Sequence, residues 1–266
     1  MEQDKLRTRL FISIWTAFVV ILIYLPILCG ALASVSKGRY FGFPVRAFST
    51  MWWEKTMDSI EIGMIVQNSL WVAGLVTVFS VIIAFFGALA FARYDWKGRR
   101  LFQKVLLLPI FFPQPVLGLA LLLTFSALGV TTSWLTAVFA HMVWIVPVVT
   151  LVIAIKVYGF DPTLEEAAFD LGATRLQVMR NVTLPLLWPG IWSGALFAFL
   201  LSWGNFPLSL YTAGADSTVP KWLYAKMVAG YTPMVPALGT MATLAAAAVL
   251  LLGGLVATLL KRRQPA

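Results

Sequence analysis

A charged island interrupts the apolar sequence at Glu166-Ala167-Ala168-Phe169-Asp170-Leu171-Gly172, followed after nine residues by Val182-Thr183-Leu184-Pro185. The island contains helix-forming residues, a glycine and a proline, and long apolar segments flank it on both sides. It extends over roughly thirty residues, far more than a loop needs to connect two helices. We expect this segment to lie in water between two membrane spans, where another molecule contacts it.

The composition indicates an integral membrane protein. Of the 266 residues, 60% are hydrophobic and 12% are charged, which is about half the charged share of an ordinary soluble domain. A helix that spans the membrane needs about 20 mostly apolar residues. Six stretches qualify, and the sequence therefore predicts an all-α bundle of six transmembrane helices in a single transmembrane domain over residues 1–266. The predicted spans are residues 10–33, 63–91, 102–128, 133–155, 189–211 and 238–260.

The distribution of basic residues predicts the orientation. Fourteen of the 20 Lys and Arg residues flank one side of the predicted spans and six flank the other. Because short cytoplasmic loops accumulate cations, both termini are predicted to be cytoplasmic, and the charged island faces the cytoplasm with them. The cations are dispersed over loop ends, which fits topology and contact with membrane lipid, and no nucleic-acid partner is expected.

The sequence of the island predicts two short helices that meet at a glycine. Thr163 and Glu166 have capping-box spacing, so we expect them to start the first helix. Gly172 is the expected left-handed stop after that helix. A second capping box over 174–177 predicts a second short helix that ends before Pro185.

The spacing of this island resembles the EAA signature of permease subunits of bacterial ATP-binding-cassette (ABC) importers. The chain matches it at Glu166-Ala167-Ala168, Gly172 and Leu184-Pro185, with Val182 at the position where Ile is more usual. Several fixed positions over twenty residues, in the loop before the penultimate span, make a far stronger signal than a short motif alone. The likeness extends from about residue 68 to residue 250.

This resemblance implies a type I ABC importer permease (MetI-like) fold in the bacterial plasma (inner) membrane. It also implies that residues 161–185 form coupling helices that dock into an ATPase subunit. The coupling residues would be Glu166, Ala167, Ala168, Asp170, Gly172, Leu184 and Pro185. The implied partners are a second, different permease subunit, two ATPase subunits and a periplasmic or extracellular substrate-binding protein. ATP and Mg would bind to the ATPase partner, and no cofactor is expected in this chain.

Other functions for the island and the bundle remain open. The first helix could lie on the inner leaflet, although such helices favour a basic polar face and this one is acidic. An ion-coupled secondary transporter would need ionisable groups at membrane depth, and no Asp or Glu falls inside a predicted span. A scaffold subunit would need no pore. The sequence has no phosphate-binding loop, so it is not expected to hydrolyse ATP or to be an enzyme by itself.

His141 is the only histidine of the chain. It could be a proton carrier, a metal ligand or a packed polar residue in the fourth span. One imidazole without a second ligand makes a poor metal site, and no catalytic constellation can be assembled around it. We therefore expect no metal site and no catalytic residue, and we favour a neutral side chain hydrogen-bonded between helices.

The substrate path is expected where polar and aromatic residues interrupt the spans. Residues 202–207 read Ser-Trp-Gly-Asn-Phe-Pro and break the fifth predicted span, either as part of a pore or as a packing kink. Unsatisfied backbone is tolerated in a membrane mainly where it faces protein or a wet cavity. The candidate path residues are Asn68, Gln114, Trp203, Asn205 and Tyr211.

Within the importer family, the chain is most similar to the second permease subunit of spermidine/putrescine-type systems. Phrases around Asn68, His141 with Pro147, and Val219-Pro220 carry this likeness. At the fifth span, however, polyamine permeases have acidic residues where this chain has Trp203 to Asn205. A dication benefits from carboxylates or aromatic faces, and only the aromatic part remains. The expected solute is a small organic molecule of the polyamine-type class, or else an organophosphonate, a sugar or an amino-acid derivative.

Overall fold

The computed structural model describes residues 2–40 and 42–262, and their regular structure is helical apart from one antiparallel bridge between Ser36 and Phe48. The helices in this part of the chain are α1 (Glu2–Ser34), α2 (Met51–Met57), α3 (Ile60–Ala88), α4 (Arg99–Phe111), α5 (Gln114–Ala127), α6 (Trp134–Tyr158), α7 (Thr163–Asp170), α8 (Arg175–Val178), α9 (Leu184–Trp203), α10 (Phe206–Thr212), α11 (Val219–Ala229) and α12 (Met234–Arg262). A π-helical turn extends α3 over Leu89–Arg93, and another joins α8 to α9 over Met179–Thr183.

Five helical segments in the described residues are long and apolar enough to cross a membrane, and there are six if one bent helix pair is counted as a single span. The five segments are Thr8–Ser34, Ile60–Arg93, Trp134–Tyr158, Arg175–Trp203 and Met234–Thr258. Each overlaps a predicted span. The all-helical membrane fold predicted from the sequence is therefore confirmed.

The third predicted span, residues 102–128, differs from a single straight helix. It consists of α4 and α5, which are bent by 104° at the break between them. Phe112 there has an extended backbone (ψ 134°), as the residue before a proline favours, and Pro113 then precedes α5. Pro113 and Pro115 flank Gln114 at this break, and a proline disfavours a continuous helix.

Contacts divide the chain into two compact units. The first comprises residues 1–63 and 223–245. In it, the Trp53 indole N–H donates to the Ser34 hydroxyl (3.2 Å), and the rings of Tyr40 and Tyr231 stack with centroids 5.9 Å apart. These contacts fasten the segment that follows α1 to the other parts of the same unit. The expectation of a single permease domain remains a prediction.

The second unit comprises residues 64–222 and 246–266 and has its apolar core between α3, α6 and α9. Small residues every four positions on α9 let α6 approach closely. A Cβ at Gly190 would lie 2.7 Å from Lys156 Cγ, and a Cβ at Gly194 would lie 3.0 Å from Val149 Cγ1. Such small-residue faces are typical of helix pairs in membranes, where close van der Waals packing drives association. The packing of α6 on α9 positions both the charged island, which precedes α9, and the break that follows α9.

Candidate functional site

The first helix of the charged island, α7, begins differently from the sequence prediction. The Thr163 side chain makes no cap bond to the helix and instead donates to Asp161 Oδ1 (2.9 Å), which also accepts the Thr163 amide (3.0 Å). The predicted capping box of Thr163 and Glu166 was therefore wrong. These two bonds to the carboxylate hold the pKa of Asp161 below its usual value. Asp161, two residues upstream, fixes the start of the helix.

Glu165 anchors α7 to the rest of the second unit. Its Oε2 accepts a hydrogen bond from Arg93 Nη2 at 2.6 Å, and its Oε1 accepts one from the Thr183 hydroxyl. The carboxylate thus joins α7 to the end of α3 and to the π-helical turn before α9. The Arg93 guanidinium also lies 4.6 Å from the centroid of the Phe160 ring. The side chains of Arg93 and Glu165 are only 16% and 14% exposed, which makes this a largely desolvated ion pair.

The end of α3 is stabilised from the next helix. The Phe91 carbonyl accepts from Arg99 Nε (3.1 Å) and Gln103 Nε2 (2.8 Å), and the Ala92 carbonyl accepts from Arg99 Nη2 (3.2 Å). These bonds satisfy carbonyls that a helix end leaves without partners. Arg93 is therefore presented to Glu165 from a fixed backbone. Sequence reasoning missed this anchor, because residues 93 and 165 are far apart in the chain and only a folded arrangement pairs them.

Gly172 ends α7 in the manner that the sequence predicts. Its φ is +83°, in the left-handed region, where a residue with a Cβ is disfavoured. The Gly172 amide donates to the Phe169 carbonyl (2.8 Å), and the Ala173 amide donates to the Ala168 carbonyl (3.1 Å). This pair of bonds is the Schellman arrangement of a helix C-terminus. The prediction of a left-handed glycine stop is confirmed.

The second helix of the island starts as predicted but ends elsewhere. The Thr174 amide donates to Gln177 Oε1 (2.7 Å) and the Gln177 amide donates to Thr174 Oγ1 (3.4 Å), which completes the second capping box. The expected end before Pro185 was wrong, since α8 passes through the π-helical turn into α9. Pro185 therefore lies inside the continuous helical segment Arg175–Trp203, directly after the π-helical turn.

The predicted coupling residues lie mostly on the outside of this region. Glu166, Ala167, Asp170, Gly172 and Pro185 are exposed, and Ala168 and Leu184 are half-buried. Glu166 lines an open cavity of about 680 Å³ together with Arg93, Tyr94, Glu165, Phe169 and Arg175, among other residues.

Large apolar side chains are also exposed on the island. Leu171 is 89% exposed and Leu176 is 77% exposed, on either side of Gly172. Leu164 and Phe169 are roughly half exposed. Exposed apolar surface of this kind is typical of interaction sites. The signal was present in the sequence as apolar residues inside a charged loop.

The break in the fifth predicted span lies between α9 and α10. Helix α9 ends at Trp203, and α10 begins at Phe206 after Gly204 and Asn205. Asn205 is buried, and its Oδ1 accepts the Leu208 amide (3.1 Å) as the cap of α10. The Trp203 ring stacks on Phe199 with centroids 6.0 Å apart. The predicted interruption is thus present, and the side chain of Asn205 serves as a cap within it.

His141 lies fully buried next to this break. Its Nδ1 is 2.9 Å from the Ser202 hydroxyl on α9, and its Nε2 is 3.0 Å from the Ser209 hydroxyl on α10. The favoured interpretation, a side chain hydrogen-bonded between helices, agrees with this geometry.

The remaining candidate path residues are placed on neighbouring elements. Tyr211 lies on α10, and its Cδ2 would be 2.9 Å from a Cβ added at Gly118 of α5, so α5 and α10 are closely packed. Gln114 is half-buried at the start of α5. Asn68 donates to the Ser217 carbonyl (3.5 Å), in the loop after α10. Gln114 and Tyr211 thus lie on the packed helices α5 and α10, while Trp203 ends α9 and Asn205 caps α10.

Comparison with known proteins identifies relatives over most of the chain. A profile of the family described as "Binding-protein-dependent transport system inner membrane component" matches residues 77–264. The chain is 28% identical to the spermidine/putrescine transport system permease protein PotC of Haemophilus influenzae over 94% of this chain and 97% of that protein. It is 31% identical to the putrescine transport system permease protein PotI of Escherichia coli over 73% of this chain and 72% of that protein.

A solved structure shares the fold. It is a bacterial ABC transporter involved in the import of the acidic polysaccharide alginate, and it matches with a TM-score of 0.71 at 18% sequence identity over 99% of both chains.

Proposed function

The chain belongs to the family of binding-protein-dependent transport system inner membrane components, and we propose that it forms half of a translocation path that the island over residues 161–185 couples to an ATPase subunit. As a member of this family it is a multi-pass permease of the bacterial inner membrane, without enzymatic activity of its own. It works with an ATPase and a substrate-binding protein. The other half of the path is a second permease subunit of different sequence.

The exposed apolar side chains of the island carry the coupling proposal. Leu171 and Leu176 present nearly their whole side chains to water, which costs free energy in an isolated subunit. Burial against a partner would recover that free energy. The Arg93–Glu165 ion pair connects the same loop to the end of α3. A force applied to the island is therefore transmitted into the helical bundle.

The arrangement supports a lever. The Glu165 carboxylate contacts the end of one predicted span and the turn that starts another, so movement of α7 displaces both. Because α8 continues into α9 without a stop, the island and the fifth span form one continuous helical segment over Arg175–Trp203. The ATPase dimer would close on ATP binding, pull the island, and rearrange the spans between inward-facing and outward-facing states.

Glutamate substitution of the exposed leucines tests the docking surface. In Leu171→Glu and Leu176→Glu, a carboxylate replaces an apolar contact, and we expect the ATPase subunits to be lost on purification at unchanged subunit abundance. The control is Leu101→Glu, since Leu101 is a 66% exposed leucine at the start of α4. Retention of the ATPase by both island variants would refute the docking surface.

The solute is a small organic molecule, and the sequence around the break favours an anionic or neutral one over a polyamine. Trp203 and Asn205 supply an aromatic face and an amide, and the chain has no Asp or Glu between Asp170 and Asp216. On the predicted outer side, Lys37, Arg39 and Arg46 lie in a segment without any acidic residue, where they would repel a dication.

A polyamine is the second candidate, because the relatives PotC and PotI are permeases of spermidine and putrescine systems. The two candidates are separated by solute uptake into vesicles that contain the whole transporter with its binding protein. We expect competition by organophosphonates, sugars or amino-acid derivatives and none by spermidine or putrescine. Competition by a polyamine at micromolar concentration would establish the second candidate instead.

A further inference from the structure

The imidazole of His141 contacts both sides of the break in the fifth span. Ser202 is in the last turn of α9 and Ser209 is in the first turns of α10, and each hydroxyl is within 3.0 Å of a different ring nitrogen. Both serines and the histidine are buried. One side chain of α6 therefore holds two helix segments that Gly204 and Asn205 separate.

The two hydrogen bonds of the His141 ring run in opposite directions. No acidic side chain pairs with His141 among the ion pairs of the described residues, and an unpaired buried charge would be costly, so the ring is neutral. A neutral imidazole offers one N–H donor and one acceptor nitrogen. One serine hydroxyl therefore donates to the ring while the other accepts from it, and both ring nitrogens are satisfied only when the two serines are in place.

Besides its packing against Gly118 of α5, α10 is tied to α6 at both of its ends. It has seven residues, and the Asn205 cap belongs to its own chain segment. Thr136 on α6 adds a second tie, since its hydroxyl lies 2.6 Å from the Thr212 carbonyl at the far end of α10. The near end, next to the glycine, is held to α6 by His141. A rotation of α9 against α10 about Gly204 would break at least one bond to the ring.

We propose that His141 is a positioning residue that clasps α9 and α10 in one arrangement of the transport cycle and releases one of them in the other. The break carries Trp203 and Asn205, so the clasp controls where these side chains lie during solute passage. A two-state rearrangement of packed helices needs such an element whose bonds differ between the states. The inference uses the importer function of the family and does not depend on which solute is carried.

A purely structural role makes a different prediction. If His141 only fills the space between helices, loss of its partners would lower the amount of assembled transporter, and uptake and ATP hydrolysis would fall in the same proportion. If His141 is a clasp, its loss leaves the amount of assembled transporter unchanged. The amount of solute moved per ATP then changes, because the conformation of the break is no longer coupled to ATP binding and hydrolysis. The ratio of the two activities separates the roles.

The test uses Ser202→Ala, Ser209→Ala and the double variant in the complete transporter, reconstituted in vesicles. Uptake per ATP hydrolysed is measured together with hydrogen exchange of the amides in residues 200–212. Loss of a buried hydrogen bond shifts a two-state equilibrium about threefold to tenfold. We expect uptake per ATP to fall by about that factor in each single variant, and amide exchange over 200–212 to rise by a similar factor.

The matched control is Thr150→Val. Thr150 is also fully buried on α6, but its hydroxyl donates only to the Val146 carbonyl one turn back in the same helix (2.8 Å). We expect this variant to leave uptake per ATP and exchange unchanged.

Two results would overturn the clasp. One is an unchanged exchange rate and an unchanged ratio in all serine variants; the other is a parallel loss of uptake and hydrolysis that follows the amount of assembled transporter. The exchange measurement needs neither solute nor ATP, so an unchanged exchange rate would count against the clasp even if the proposed solute class is wrong.

Discussion

The island over 161–185 and the break at 204–205 use polar residues in opposite ways. In the island, Glu165 and the second capping box hold the backbone while the side chains of Leu171 and Leu176 are exposed. At the break, the buried His141 is hydrogen-bonded to two buried serines, and the buried Asn205 side chain accepts the Leu208 amide. The first region keeps apolar surface available for another molecule, and the second hides polar groups inside the bundle.

This difference in burial indicates a different role for each region. An exposed apolar patch lowers its free energy only by binding a partner, which suits a docking surface. A buried and mutually satisfied polar set costs free energy as soon as one member moves away, which suits a two-state joint. Along one helical segment, Arg175–Trp203, the first region thus leads to the second.

The largest expected change in stability is at Glu165, and the adjacent Glu166 should show none. Glu165→Ala leaves the Arg93 guanidinium desolvated without its partner, and we expect a loss of about 2–4 kcal/mol in the free energy of unfolding. Glu166→Lys alters an exposed residue and should leave stability unchanged while abolishing uptake. Thermal unfolding of the purified subunit, followed by uptake, measures both. Equal stability of the two variants would mean that the ion pair does not anchor the island.

The next effect concerns the packing of α5 on α10. A Cβ in Gly118→Ala would lie 2.9 Å from Tyr211 Cδ2 and 3.1 Å from the Pro207 carbonyl oxygen, and backbone cannot move aside cheaply. We expect a loss of about 1–3 kcal/mol in the free energy of unfolding from this overpacking. Gly239→Ala is the control, because nothing lies within 4 Å of its added Cβ and alanine favours the helix. A neutral Gly118→Ala would show that α5 and α10 do not pack tightly.

A smaller effect on stability, with a large effect on transport, is expected at Gly172. Alanine there meets no neighbouring atom within 4 Å, but the φ of +83° costs it about 1 kcal/mol. The chain should escape this strain by altering the angle between α7 and α8. We therefore expect Gly172→Ala to insert normally and to lose uptake and substrate-stimulated ATP hydrolysis. Wild-type values of both activities would show that the island does not depend on this turn.

The smallest effect is pH-dependent and lies at Asp161. Its folded-state pKa is lowered by the amide and hydroxyl of Thr163, so the stabilisation is present above the ordinary aspartate pKa and is lost as the pH falls through the lowered value. The protection of the α7 amides against hydrogen exchange should therefore weaken as the pH falls below the ordinary aspartate pKa of about 3.9. Asp161→Ala should show the higher exchange already at neutral pH. An exchange profile identical to that of the wild type would refute this cap.

Local signals in the sequence predict part of these regions correctly. The glycine stop at Gly172, the capping box over 174–177 and the interruption after Trp203 each depend on a few neighbouring residues, and each is present. Such features follow from backbone sterics and local hydrogen bonds, which a short stretch of sequence carries.

The sequence does not predict features that depend on distant residues or on competition between neighbours. Glu165 pairs with Arg93 72 positions away, and His141 pairs with serines 61 and 68 positions away. At Thr163, the carboxylate of Asp161 takes the bonds that the capping box would have used. At Pro185, a π-helical turn lets the helix continue where the proline suggested a stop.

Site-specific crosslinking from the island tests the coupling claim most directly. Leu171→Cys is introduced in a Cys29→Ser background, because Cys29 is the only cysteine of the chain, and the whole transporter is crosslinked in membranes. We predict a crosslink to the ATPase subunit whose yield changes when ATP is added, with none from Leu101→Cys. No crosslink from position 171 to the ATPase, or labelling of position 171 from the outer side of the membrane, would contradict the account.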